Sequence, residues 1–200
     1  MIRVSNYEKD GNRAVFDVSG LDVKTLNAFR RTVIAAVPTM ALERVTFYSN
    51  SSILNDEILA HRMGLVPLTT DLKTYVPQSD CECKGVGCGR CVCKLTMDVK
   101  GPKTVYSGDF KSLDENVKPA HDEIPLVKLL DGQSIRLEAD AILGCGREHM
   151  KWQPGLASYE MKDKDTFRVT VESYGQLSVE ELIRTAFEVV EEKIKKLKEK

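Results

Sequence analysis

The chain has 200 residues, 42% hydrophobic and 30% charged, and its 29 Lys and Arg nearly balance its 30 Asp and Glu for a net charge of −1. That balance argues against a free-standing nucleic-acid binder, which carries a basic excess, and no apolar run approaches the roughly 18 residues of a membrane-spanning helix. No signal peptide is read, so six cysteines, five of them between Cys81 and Cys93, point to a cytosolic chain that holds a metal rather than disulfides.

Ile2 and Val4 alternate ahead of the turn chemistry of Asp10-Gly11-Asn12, and residues 15–18 return as the second strand of a hairpin. Leu26, Phe29, Val33 and Val37 then recur at spacings of three and four, the period of one helix face. Asp22 stands where an N-cap belongs and Pro38 ends the helix. Leu42, Val45 and Phe47 predict a strand over residues 41–48. After the turn-like Asn50-Ser51-Ser52, residues 56–62 read as a short helix capped by Asn55 and closed at Gly64. Strands follow at residues 95–99, 105–108 and 135–141, the last two separated by a loop containing Lys118-Pro119 and Ile124-Pro125. Residues 144–154 read as irregular. Phe167, Val169 and Val171 mark a strand over residues 166–173, which leads into the terminal helix.

That helix is the best marked element. Ser178 and Glu181 make a capping box, with Leu177 and Leu182 as the hydrophobic staple around it. Its stripe runs Val179, Leu182, Ile183, Ala186, Phe187, Val190, Ile194, Leu197. Glu180 and Glu181 at the start and Lys195, Lys196 and Lys198 at the end suit the helix dipole. At 1.5 Å per residue it runs on the order of 30 Å, more than a small domain covers, which implies packing on another chain. The pattern as a whole is α+β: a discontinuous domain of antiparallel strands and two helices, residues 1–47 and 164–200, interrupted by a mainly β insert at residues 48–163.

The insert carries Cys81-x-Cys83-x4-Cys88-x2-Cys91-x-Cys93 on a Gly-rich loop, residues 80–94. Thiolates at such spacings can converge on one tetrahedral Zn²⁺ at ~2.3 Å, and an iron–sulfur cluster would use the same ligand type. The loop has almost no apolar side chains, so packing cannot order it. Cys145 and His149 are four apart, a spacing that could supply half of a second metal site, but no other half is evident and the pair is not read as ligands. His61 reads as a structural or interface residue. Arg30 and Arg31 flank the apolar face of the first helix, and Arg suits fixed pairing with carboxylates. Catalysis finds no support: there is no phosphate-binding Gly loop, no nucleophile–base pair and no Asp-rich magnesium motif, Asp163-x-Asp165 being a polar loop.

Five phrases occur in order: Asn27-Ala28-Phe29-Arg30-Arg31, Val37-Pro38-Thr39-Met40-Ala41, the run from Asp56-Glu57-Ile58 through Ala60-His61-Arg62-Met63-Gly64 to Leu68, Gly146-Arg147-Glu148-His149-Met150-Lys151-Trp152-Gln153-Pro154, and Glu172-Ser173-Tyr174-Gly175. Across essentially its whole length the chain resembles the D-subunit family of archaeal DNA-directed RNA polymerases, which is similar to the third-largest subunit of the eukaryotic enzyme and to the N-terminal domain of bacterial α. The resemblance implies that the discontinuous domain is a dimerisation domain pairing with subunit L through the first and terminal helices. Leu26, Phe29, Arg30, Arg31, Val33, Ile183, Phe187, Val190, Ile194 and Leu197 are then interface candidates. It further implies recruitment of subunits N and P and of the second-largest catalytic subunit, with the compact group Arg147, His149, Lys151 and Trp152 touching a large neighbour. No sequence-specific nucleic-acid or membrane contact is expected. The nucleotidyltransferase activity so implied belongs to the complex and to no side chain here. The zinc loop of the eukaryotic relatives implies Cys81, Cys83, Cys88 and Cys91 as ligands, with Cys93 able to replace Cys91. Some family members carry an iron–sulfur domain after the Trp-Gln-Pro phrase; the dozen residues between Pro154 and Thr166 are too few for one. The competing reading is a stand-alone zinc or iron–sulfur module for electron transfer or nucleic-acid binding.

Overall fold

The computed structural model describes residues 2–198, with side chains through residue 196. In chain order the elements begin β1 (Arg3–Asp10), β2 (Arg13–Ser19), α1 (Val23–Ala35), β3 (Pro38–Asn50), α2 (Asp56–Gly64), β4 (Cys93–Lys100) and β5 (Lys103–Tyr106). They continue β6 (Lys111–Ser112), β7 (Pro125–Leu129), β8 (Ser134–Cys145), β9 (Gly155–Asp163), β10 (Thr166–Ser173) and α3 (Val179–Lys198). Among the described residues no helix is long and apolar enough to cross a membrane.

Two units emerge, residues 1–37, 145–149 and 153–200 in the first, residues 38–144 and 150–152 in the second. The expected boundaries at residues 47 and 164 differ from these by two strands. β3 pairs with β8 and belongs to the second unit, and β9 pairs with β10 and belongs to the first. Ala157, Tyr159 and Met161 alternate with Ser158, Glu160 and Lys162, a period-two signal for β9. The interval after Pro154 is thus filled by a hairpin strand.

The first unit is an antiparallel sheet in the order β1-β2-β10-β9. Gly11, at φ +53°, closes the β1–β2 turn between the paired Asp10 and Arg13. Phe16, Val18, Phe167, Val169 and Val171 share the buried face on which both helices lie. α1 starts where Asp22 accepts the Thr25 N–H at 2.8 Å and stops as the Ala36 and Val37 N–H groups both turn back to the Thr32 carbonyl. α3 starts where the Glu181 N–H donates to Ser178 Oγ at 3.2 Å, with Leu177 and Leu182 buried around the cap.

The opposite sheet face is polar and centres on Asp17, only 2% exposed. Asn6, Lys162 and Arg168 donate to its carboxylate at 2.7, 2.9 and 3.0 Å. Asn6 reaches it from a bulge in β1, where its own φ is +51°. The Asn6 amide, then Lys162 and Arg168, hold the Asp17 carboxyl well below the usual carboxylate range. A depressed folded-state pKa contributes stability that is present above the unfolded value, near 3.9, and is lost as pH falls below it. Asp17→Asn is therefore expected to lower the urea midpoint at pH 7, where it leaves Lys162 and Arg168 without their counter-charge, and to flatten the loss of stability below about pH 4. Parallel urea titrations at the two pH values measure both; an unchanged acid slope would remove Asp17 from this role.

The second unit has the sheet β3-β8-β4-β6 and the small β5–β7 ribbon. Its core gathers Met40, Leu42, Leu95, Met97, Ile135 and Leu137 from the strands with Leu59 and Met63 of α2. Asn55 occupies the N-cap position of α2, but its side chain makes no capping bond, so Asp56 and Glu57 in the first turn provide the favourable charge instead. The sequence predicts a loop through Ile124-Pro125, whereas β7 opens on Pro125 and pairs with β5. Pro is tolerated there because a first strand residue need not donate.

Candidate metal centre and partner surface

Residues 81–92 fold back through two tight turns. The Lys84 N–H donates to the Cys81 carbonyl at 3.0 Å, and the Cys91 and Val92 N–H groups donate to the Cys88 carbonyl at 3.0 and 2.9 Å. Lys84, Gly85 and Gly87 all take positive φ, +54°, +83° and +96°, so the chain reverses sharply enough to superpose its sulfurs. Cys81, Cys83, Cys88 and Cys91 end with their sulfurs within 4.8 Å of one another. The Cys81–Cys88 and Cys83–Cys91 separations are 3.5 Å and Cys88–Cys91 is 3.9 Å. A tetrahedral ion with sulfur at ~2.3 Å needs edges of about 3.8 Å, so one ion fits with small adjustments.

Backbone N–H groups already face the sulfurs. The Gly87 N–H holds the Cys83 thiol down to about 6, the thiolate being the form that binds a metal. Burial pushes the Cys91 thiol up to about 12. These four can hold a metal ion. Cys93 is elsewhere: it opens β4, packs in the core, and its sulfur lies 3.5 Å from Ser112 Oγ. Its phase with the buried Leu95, Met97 and Val99 put it on the inner face, which was legible in the alternation.

Of the interface candidates, Leu26, Phe29 and Val33 are buried inside the first unit. The α1 stripe packs against the chain's own α3 and β9, because a thirteen-residue helix must cover its apolar face locally. Arg30 donates to Asn27 Oδ1 from Nε at 3.2 Å and from its terminal nitrogen at 3.0 Å, one turn back on its own helix rather than to a carboxylate; Arg31 is exposed. α3 carries two adjacent apolar stripes. Val179, Leu182 and Ala186 are buried, whereas Ile183, Phe187, Val190 and Ile194 form the second stripe, in which Phe187 is 42% and Ile194 45% exposed. Phe187 stacks on Phe29 with centroids 4.4 Å apart. Leu197 lies outside the described side chains, as does Lys198.

The group around Trp152 divides. Trp152 is buried, donates from Nε1 to the Ile142 carbonyl at 3.2 Å, and lies so close over Gly144 that a Cβ there would enter the indole. Lys151 donates to the Leu42 carbonyl at 3.0 Å, pairs with Glu43 and sits 4.4 Å above the indole. Both side chains anchor the fold. Arg147 and His149 are exposed, as is His61 on α2. Cys145 sits with its sulfur 3.7 Å from the Ala36 carbonyl, and among the described residues the four-cysteine set is the clustered group of ligand side chains.

A family model described as the RNA polymerase Rpb3/RpoA insert domain matches residues 45–159. The DNA-directed RNA polymerase subunit Rpo3 of Methanosarcina mazei is 46% identical over 157 residues, 78% of this chain and 59% of the relative. Rpo3 of Methanosphaera stadtmanae is 42% identical over 192 residues, 91% of this chain and 69% of the relative. Rpo3 of Thermococcus kodakarensis is 42% identical over 164 residues, 82% and 61% respectively. The matches thus span between 59% and 69% of these relatives' lengths.

Proposed function

The chain belongs to the RNA polymerase Rpb3/RpoA insert-domain family, and from that premise we propose that it is a non-catalytic assembly subunit of a DNA-directed RNA polymerase. Its first unit is the dimerisation domain, pairing with the small subunit L. The heterodimer recruits subunits N and P and receives the second-largest catalytic subunit. The observation that carries this reading is the second stripe of α3: Ile183, Phe187, Val190 and Ile194 form an apolar row that the chain's own sheet leaves partly open. An unpaired helix face of this kind is what a partner helix covers.

Cys81, Cys83, Cys88 and Cys91 hold one Zn²⁺ whose role is structural, since four thiolates leave no open coordination position for a water or substrate. Sulfur–sulfur separations of 3.5–3.9 Å support one ion. An iron–sulfur cluster places several irons and sulfides between its cysteines and needs them further apart.

Co-expression with subunit L from the same genome tests the role. The pair is expected to co-elute from gel filtration and then to take up N and P. A chain that elutes alone as a soluble monomer, with L in a separate peak, would favour a stand-alone metal module and overturn the assembly role.

A further inference from the structure

The cysteine loop also forms one wall of a cleft of ≈ 520 Å³ within the second unit. Val86, Gly87, Val92, Leu113, Tyr75 and Ile142 are among the residues that line it. The register of β4 on β8 sets Lys94 opposite Asp140, so these two and Ile142 lie on the sheet face turned away from the core, whereas Cys93, Ala139 and Ala141 face inward. α2 contributes Leu59 and Met63 to the core and so covers the other face. The cleft therefore opens on an uncovered sheet surface.

Two features indicate what it takes. Val86 and Leu113, both lining it, are 85% and 80% exposed. Single exposed apolar side chains are ordinary, but two on one concave site with an apolar floor mark a contact surface. They project beyond the cleft, so an occupant that covers them must continue over the rim, as a polypeptide does and a small enclosed ligand does not. The charges at the mouth are unequal in availability. Glu43 is paired with Lys151, and Asp114 accepts the Tyr75 hydroxyl at 2.8 Å and the Asn116 N–H at 2.9 Å. Arg44 and Lys94 are exposed and, like the half-buried Asp140 opposite Lys94, make no ion pair among the described residues, which leaves two cations against one acid. The complementary partner carries a carboxylate close to an aliphatic or aromatic anchor. Glu43, Asp114 and Asp140 at the same site disfavour a nucleic-acid backbone.

We propose that this cleft docks an extended segment of another polymerase subunit, with an apolar side chain between Val86 and Leu113 and an adjacent carboxylate at Arg44 and Lys94. The inference rests on the reading of the chain as a polymerase subunit. It gives the metal a second consequence, because an ion that fixes residues 81–91 also fixes the cleft wall at Val86–Gly89.

The test places a photoreactive benzoylphenylalanine at position 113 of the full chain, assembled with its cognate polymerase subunits, and maps the cross-linked peptide after irradiation. One segment of another subunit is expected, with Asp or Glu within a few residues of a large apolar residue. That segment, synthesised with a fluorophore, should bind the metal-loaded chain, and Leu113→Asp and Arg44→Glu should each weaken it about tenfold or more, with metal content unchanged. Chelation should weaken it as well. Assembly without an inter-subunit cross-link from position 113 overturns the docking site alone, as does cross-linking to nucleic acid or to a second copy of this chain. Failure of the unaltered chain to assemble overturns the subunit reading, and the docking site falls with it.

Discussion

Cys83→Ser and Cys91→Ser are each expected to reduce bound zinc from about one ion per chain to less than about a tenth, while Cys93→Ser leaves it unchanged. The first two remove sulfurs from the convergent set; the third alters a thiol held in the core beside Ser112. The loop has little else to order it. Ordering each backbone residue costs about 1–2 kcal/mol, whereas structural zinc in small sites contributes about 10–16 kcal/mol. Outside its own turns, the backbone bond from the Val76 N–H to the Arg90 carbonyl ties it back to the preceding chain. Lys84 and Arg90 are exposed on the loop, which makes trypsin a direct probe. The zinc-loaded chain should resist cleavage there; both Ser variants and the chelated protein should be cut quickly, with the helical circular dichroism of α1 and α3 retained. One zinc per chain in both ligand variants would refute the four-cysteine assignment. Stoichiometric iron and sulfide in the unaltered chain would replace zinc with a cluster.

How much of this was legible depends on whether the signal was local. α3 and β10 could be read from periodicity, and the caps at Asp22 and Ser178 from side-chain chemistry, because each depends on residues within a turn or two. β3 was visible as a strand, but its membership of the second unit depends on pairing with β8, some ninety positions later, and nothing in residues 38–50 encodes that partner. β9 was missed although its alternation was present, because most of its inward positions beyond Ala157 stay solvent-facing at the sheet edge and the apolar signal is correspondingly thin. The five cysteines announced a metal. The alternation of Cys93 with Leu95, Met97 and Val99 sets it apart from the other four, whose sulfurs converge through the positive-φ bends between Cys83 and Cys88 and the turn after Cys88. The Trp152 group shows the opposite error. Its aromatic and basic residues resembled a contact surface, yet Trp152 and Lys151 are held by the Ile142 and Leu42 carbonyls. The cleft had no sequence signature, since Val86 and Leu113 are brought to one site only when the loop folds over the sheet.

On α3, Ile194→Asp is expected to abolish pairing with the small subunit at micromolar concentrations while leaving the isolated chain nearly as stable as before. Ile194 is 45% exposed in the isolated chain, where a carboxylate remains in water. In a dry helix–helix contact the same carboxylate would be buried without a partner, a cost of about 3–5 kcal/mol, or roughly two to three and a half powers of ten in affinity. Phe187→Asp should break the pair at least as thoroughly, but for two reasons. Phe187 stacks on Phe29, so its loss also weakens the packing of α1 on α3, and a lowered urea midpoint of the isolated chain should accompany it. The contrast separates the partner contact from the chain's own packing: both variants lose the heterodimer, and Phe187→Asp alone loses appreciable stability. Lys200→Glu, outside the apolar positions of the stripe in the sequence, serves as the control and should pair normally. Co-elution of the Ile194→Asp chain with subunit L at unchanged affinity would place the interface elsewhere. In that case the exposed half of the α3 stripe would be a solvent face, and the assembly role would lose the observation that supports it.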